Sequence, residues 1–217
     1  GATLVATLIA NLEFAIYVGS LLSLGLYLNR TVKPPLVRAM PAPLPGSYHF
    51  IRDVQHSECP QLSIRYLDGS LFFAAIAHIR REFGRIRRER PAAGHLLVLC
   101  SGVNHCDVAG AELIADEARR RRAMGGDVYL HYVKGPVLRM LDSTGSLAVI
   151  GKSNVFDIGA MTIESVVERL NPRLCAECSI RSFHCCPPLD DSKDQEEDAQ
   201  ATATTQEQTQ DPEKNSP

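Results

Sequence analysis

The run Leu96-Leu97-Val98-Leu99-Cys100 constrains this chain more than any other stretch. An apolar run of that length without polar alternation reads as a strand buried on both faces, so it demands a sheet with other elements packed above and below it. A short turn through Ser101, Gly102 and Asn104 follows, and Asp107 then stands just ahead of a helical stretch. An Asp in that place accepts hydrogen bonds from the first free backbone N–H groups of a helix, and its charge suits the positive helix end. Gly110 and Ala111 are small enough for the first turn to pack closely on the sheet. Val108, Leu113, Ile114, Ala115 and Ala118 supply apolar surface, Arg119 to Arg122 load the last turn, and Gly125-Gly126 end it.

The surrounding sequence repeats this alternation. Tyr48 to Val54 and Gln61 to Tyr66 read as strands, with a turn at Asp68-Gly69. Phe72, Ile76, Ile79, Phe83 and Ile86 then recur at helical spacing. The other face of that helix carries Arg80, Arg81, Arg85, Arg87 and Arg88, which reads as a solvated face or, more sharply, as a surface for anionic headgroups. Asp127 to Val133 is a further strand, Pro136 to Leu141 a short helix, and Leu147 to Ile150 another strand. Ala160, Ile163, Val166, Val167 and Leu170 line a final helix. The expected domain spans residues 48–172 and is α/β, a mixed sheet with packed helices.

Residues 2–28 form the longest apolar stretch, with Asn11 and Glu13 its polar interruptions near the start. About 27 residues of helix rise about 40 Å, enough for a hydrocarbon core of about 30 Å. A transmembrane helix over 1–30 fits better than a buried soluble helix. It also fits better than a signal peptide, since no basic leader precedes it and no small-residue cleavage site follows. Asn11 and Glu13 would then face protein or a water-filled cavity, either to stabilise helix packing or to serve transport. Arg30, Lys33, Arg38 and Arg52 follow with no acid before Asp53, which places the downstream domain in the cytoplasm. Residues 31–47 hold Pro34, Pro35, Pro41, Pro43 and Pro45 and read as a stiff extended linker.

Residues 189–217 are poor in large apolar groups and carry Asp190, Asp191, Asp194, Glu196, Glu197, Asp198, Glu207, Asp211 and Glu213 against Lys193 and Lys214. That composition reads as a disordered acidic tail. The whole-chain net charge of −2 therefore hides a net-basic remainder. No aromatic-interleaved basic stripe points to nucleic acid. In residues 173–188, Cys175 and Cys178 have CxxC spacing, and His184, Cys185 or Cys186 would complete four soft ligands for zinc or an iron–sulfur centre. Surface thiols or a regulatory disulfide remain open for the same segment. The sequence holds no Walker loop, no GxGxxG and no serine-hydrolase elbow, so no catalytic constellation is assigned and no enzymatic activity is expected.

The turn Asp107-Val108-Ala109-Gly110-Ala111 after an apolar strand resembles the Asp-Ser-Ser-Gly turn of the STAS domain. Ile64-Arg65-Tyr66-Leu67-Asp68-Gly69-Ser70-Leu71-Phe72-Phe73-Ala74 resembles a segment typical of STAS domains in SulP-type anion permeases. The likeness covers about residues 1–172 and implies the C-terminal part of such a permease: its last transmembrane helix, a linker and a cytoplasmic STAS domain at the inner membrane. It also implies the rest of the membrane domain, the lipid bilayer and a second copy of the chain as partners. A cytoplasmic protein partner, or a ligand, would meet the loop that carries Asn104, Asp107, Val108, Ala109 and Gly110. Sulfate, bicarbonate, chloride or a dicarboxylate is the implied cargo, bound by earlier helices, so this stretch would not transport by itself. The family's phosphorylatable serine is replaced by Val108, which removes phosphorylation at that turn from the expectations. The alternative is a membrane-tethered STAS module that senses an anion, a nucleotide or a protein, with a metal- or redox-responsive cysteine cluster.

Overall fold

A computed structural model of the chain describes residues 1, 12–42, 49–52, 57–157 and 161–186. The elements are α1 (Leu12–Thr31), β1 (Leu36–Pro41), β2 (Phe50–Arg52), β3 (Leu62–Leu67), α2 (Phe73–Glu89), β4 (His95–Leu99), α3 (Val108–Arg122), β5 (Val128–His131), α4 (Gly135–Ser143), α5 (Ser146–Ile150), β6 (Val155–Phe156), α6 (Thr162–Val167) and α7 (Pro172–Ala176). They build one mixed sheet in the order β2-β1-β3-β4-β5-β6. β3, β4, β5 and β6 run parallel, while β1 is antiparallel to both β2 and β3.

The side-chain period of two divides the apolar strands between two cores. Leu96 and Val98 of β4, with Val128 and Leu130 of β5, face one side and meet Ile79, Phe83 and Ile86 of α2 and Ala111, Ile114 and Ala118 of α3. α4 and α5 close the same side through Val137, Leu141, Leu147 and Ile150. Leu97, Leu99 and Tyr129 face the other side, where Leu62 and Ile64 of β3 join Ile163, Val166, Leu170 and Phe183. β4 is buried along its whole length, as its unbroken apolar run requires.

Three expectations need correction. The segment expected to be a free proline-rich linker contains β1, whose Leu36, Val37 and Arg38 pair with Leu67, Tyr66 and Arg65. Pro34 and Pro35 precede the strand and Pro41 is its last residue, so the strand lacks only one N–H donor. The run Leu147–Ile150 is helical rather than extended, because Leu147 and Ile150 are buried three residues apart while Ala148 is exposed. Besides β1, the sequence reading missed β6, which is only two residues long.

The third correction concerns the membrane helix expected over residues 1–30, of which residues 2–11 lie outside the described residues. Its described part is α1, 20 residues long with Glu13 in its first turn and Arg30 in its last. Among the described residues no helix is long and apolar enough to cross a membrane. Tyr17, Gly19, Ser20, Ser23, Gly25 and Tyr27 dilute its apolar content. Yet α1 is not packed into the domain either: Phe14, Ile16, Leu21, Leu24, Leu26 and Leu28 are all exposed. Asn11, the expected strand residues Tyr48, Asp53 and Val54, Ala160 and residues 187–217 lie outside the described residues.

Candidate functional site

The turn before α3 sits where the parallel strands β3 and β4 end. The Asp107 carboxylate accepts from the backbone N–H of Gly110 at 2.8 Å through Oδ1 and from that of Phe73 at 2.8 Å through Oδ2. One side chain therefore caps α3 and also ties the start of α2 beside it, which satisfies orphan donors of two helices at once. Backbone bonds lock the same junction: Leu71 N–H donates to His105 O at 2.9 Å and Asp107 N–H to Leu71 O at 3.0 Å. Gly110 is needed for this approach, since a Cβ there would lie 2.6 Å from Leu71 O and 2.9 Å from Leu71 Cβ.

The remaining turn residues are placed differently. Asn104 is exposed and its Oδ1 accepts from Lys134 Nζ at 2.6 Å. Val108 is exposed, Ala109 half-buried and Gly110 buried. Cys106, beside them, is buried, and burial followed by the charge of Asp107 pushes its thiol up to about 12. It is packed as an inert thiol rather than poised as a nucleophile. His131 Nδ1 and Thr162 Oγ1 lie 2.9 Å apart, and burial holds the His131 pKa down. His95 is similarly lowered by burial, with Asp127 opposing, and its Nδ1 lies 3.1 Å from Tyr129 Oη.

The cysteine-rich segment lies at the opposite end of the sheet, where β3 begins. Gln61 anchors it: its Nε2 donates to Asn171 O at 3.1 Å and to Cys175 Sγ at 3.1 Å, and its Oε1 accepts from Asn171 N–H at 2.9 Å. Phe183 inserts into the second core, with Cys175, Cys185 and Cys186 packed at its margin. Cys175 lies within electrostatic reach of Cys178 and Cys186, but the expected ligand set of Cys175, Cys178, His184, Cys185 and Cys186 is not arranged as a metal site. Among the described residues no three His, Cys, Asp or Glu side chains are placed to hold a metal ion. His184 instead turns to Glu164, Nε2 to Oε1 3.1 Å, and burial followed by Glu164 raises the Cys185 thiol to about 11. The segment's apolar contacts, which CxxC spacing does not reveal, set its course.

Sequence reasoning also missed Glu58 and Cys59. Glu58 is half-buried, with its side chain 9% exposed, and is paired with Arg38, Arg65 and Arg90. Cys59 lies in the second core, close enough to Cys175 and Cys178 for their charges to raise its pKa, although burial is the larger cause. Neither residue has a neighbour in sequence that announces this role. Of the arginines expected on the solvated face of α2, Arg80, Arg81 and Arg88 are exposed, while Arg87 pairs with the buried Glu117.

The STAS domain model matches residues 53–167. Among solved structures, the chain is similar to the murine Solute Carrier 26 family member A9 (Slc26a9) anion transporter in the inward-facing state. The identity is 16% and the TM-score 0.58, over 77% of this chain and 27% of that one. It is also similar to the overall structure of SLC26A9, at 14% identity and a TM-score of 0.57, over 77% of this chain and 29% of that one. The chain thus spans less than a third of the length of these transporters. No curated protein matches it by sequence. With more than half its length matched by that model, and with the strand–turn–helix unit closed by Asp107 at its centre, the chain belongs to the STAS domain family.

Proposed function

We propose that the chain is the C-terminal portion of a SulP-type secondary anion transporter. Its STAS domain regulates and assembles the transporter on the cytoplasmic side, and α1 belongs with the membrane-embedded part. The observation that carries this reading is the state of α1. Phe14, Ile16, Tyr17, Leu21, Leu24, Leu26, Tyr27 and Leu28 are exposed around it, and it joins β1 of the STAS domain after only Val32, Lys33, Pro34 and Pro35. An apolar surface of that extent is unfavourable in water and calls for lipid or other apolar helices as its cover. The shared fold with an anion transporter supports the reading at the level of architecture. Sulfate or bicarbonate-like anions are the cargo class, and helices other than α1 would hold them, so this portion alone does not transport.

The coding sequence ahead of Gly1 tests the assignment. On this reading about ten or more further apolar helices are encoded there in frame. A start codon next to Gly1 would contradict the transporter and leave a tethered STAS module.

A further inference from the structure

We infer that the strand-end face bearing Phe73 and Val108 is a docking surface for an anionic bilayer. This rests on the reading of α1 as membrane-embedded and adds to it a contact made by the STAS domain itself. The connection from α1 fixes which end of the domain is involved. From Thr31 to Leu36 the chain reaches at most about 18 Å even when fully extended. Leu36 then pairs with Leu67, the last residue of β3, and Pro35 O accepts from Asp68 N–H at 3.1 Å. Pro34 packs against Gly69, leaving no room there for a Cβ. α1 therefore leaves the domain at the end that also carries Leu71, His105 and Asp107.

Two apolar side chains stand out at that same end. Phe73 is 76% exposed and Val108 53%, although each opens a helix whose other apolar residues are mostly buried. They are neighbours, because the Asp107 carboxylate that precedes Val108 accepts from Phe73 N–H at 2.8 Å. Phe72 supports the ring edge-on, with centroids 5.9 Å apart. An exposed aromatic beside a second apolar group is costly in water and well suited to the headgroup–acyl boundary.

The charges around the pair favour anionic lipid. Arg30 and Lys33 lie on the α1 connection, and Lys134 reaches Asn104 of the same loop. Two acids at this end are engaged, Asp68 by Arg52 at 2.9 Å and Asp107 by two backbone donors, while the exposed Glu112 lies one turn further along α3. Basic side chains close to a negative membrane surface add attraction to the apolar contact. The arginines of α2 are less suited to this role, because that helix starts at this end and runs away from it.

The chain contains no tryptophan, so Phe73→Trp gives it a sole indole reporter at an exposed site. Met124→Trp, also exposed but beyond the far end of α3, serves as the reference. Each full-length variant is reconstituted with vesicles of phosphatidylcholine and phosphatidylglycerol, with or without lipids brominated near the headgroup, and the vesicles are floated. We expect the indole at position 73 to shift to the blue and to be quenched several-fold more strongly than that at 124. A floating protein whose indole at 73 is blue-shifted but unquenched is covered by protein instead, and overturns the inference. Equal, weak quenching at both positions also overturns it, and in both cases the membrane reading of α1 survives. Protein that does not float removes that reading and the inference together.

Discussion

Replacing Glu117 with alanine is expected to cost about 3–5 kcal/mol of folding stability, because it leaves a buried cation without its partner. Glu117 lies inside α3 and its Oε1 accepts from Arg121 Nε at 2.8 Å, while Oε2 accepts from Arg87 Nη1. Arg121 is wholly buried, and its Nη1 donates to Ala93 O at 2.9 Å. Burial lowers the Arg121 pKa and the Glu117 charge opposes that shift, but the guanidinium stays protonated either way, so the carboxylate acts as its counter-ion. The network joins α2, α3 and the turn before β4, three segments that must meet for the first core to close. Removing both charges should hurt less than removing one, since desolvation is then relieved along with attraction. The double variant Glu117→Met with Arg121→Met is therefore expected to recover much of the loss, read from urea midpoints at constant m-value. A single variant within about 0.5 kcal/mol of the parent would place the pair in solvent and contradict this account.

The second large effect belongs to Glu58→Ala, again about 3–5 kcal/mol. Arg38 of β1 and Arg65 of β3 stand directly opposite each other in an antiparallel register. Like charges in that position repel. Glu58 lies between them, pairs with both and takes Arg90 as a third partner. Arg90 also donates to Ser63 Oγ at 2.8 Å and to Cys59 O, which fixes the loop ahead of β3 to the end of α2. Without Glu58 the β1–β3 junction holds three neighbouring cations, with Arg65 itself buried. β1 is the strand that α1 enters, so its pairing should loosen first. Amide exchange at Val37 and Ala39 is expected to quicken more than at Leu97 in β4. Equal protection in the variant and the parent would show that the cluster is not what holds β1.

These networks mark the limit of what the sequence disclosed. β4 and α3 were legible because a run buried on both faces, a capping Asp and a terminal Gly pair are local signals. β1 was not, because prolines on either side of Leu36–Pro41 suggested a spacer, and only pairing with β3 and β2 makes it a strand. Leu147–Ile150 was too short for its period to separate strand from helix. The arginines of α2 read as a solvated face and those of α3 as last-turn charges, yet Arg87 and Arg121 converge on one buried carboxylate that the sequence does not single out. Cys175 and Cys178 had metal-ligand spacing, but Gln61, more than a hundred residues earlier, takes Cys175 as its partner. At the candidate site, Asp107 was found from its position before a helix and Gly110 from its small size in the first turn. The exposure of Phe73, and its place beside Val108, emerged only when the two helix starts were brought together.

The account depends on α1 being an apolar rod that lipid covers while the STAS domain remains folded beside it. The most direct measurement is recovery of the full-length chain from vesicles washed at alkaline pH, followed by protease treatment of the outer face. The account predicts that the chain stays with the lipid through the wash and that protease releases a folded fragment beginning close to β1. Complete release by the wash, giving a soluble monomer with α1 intact, would contradict it.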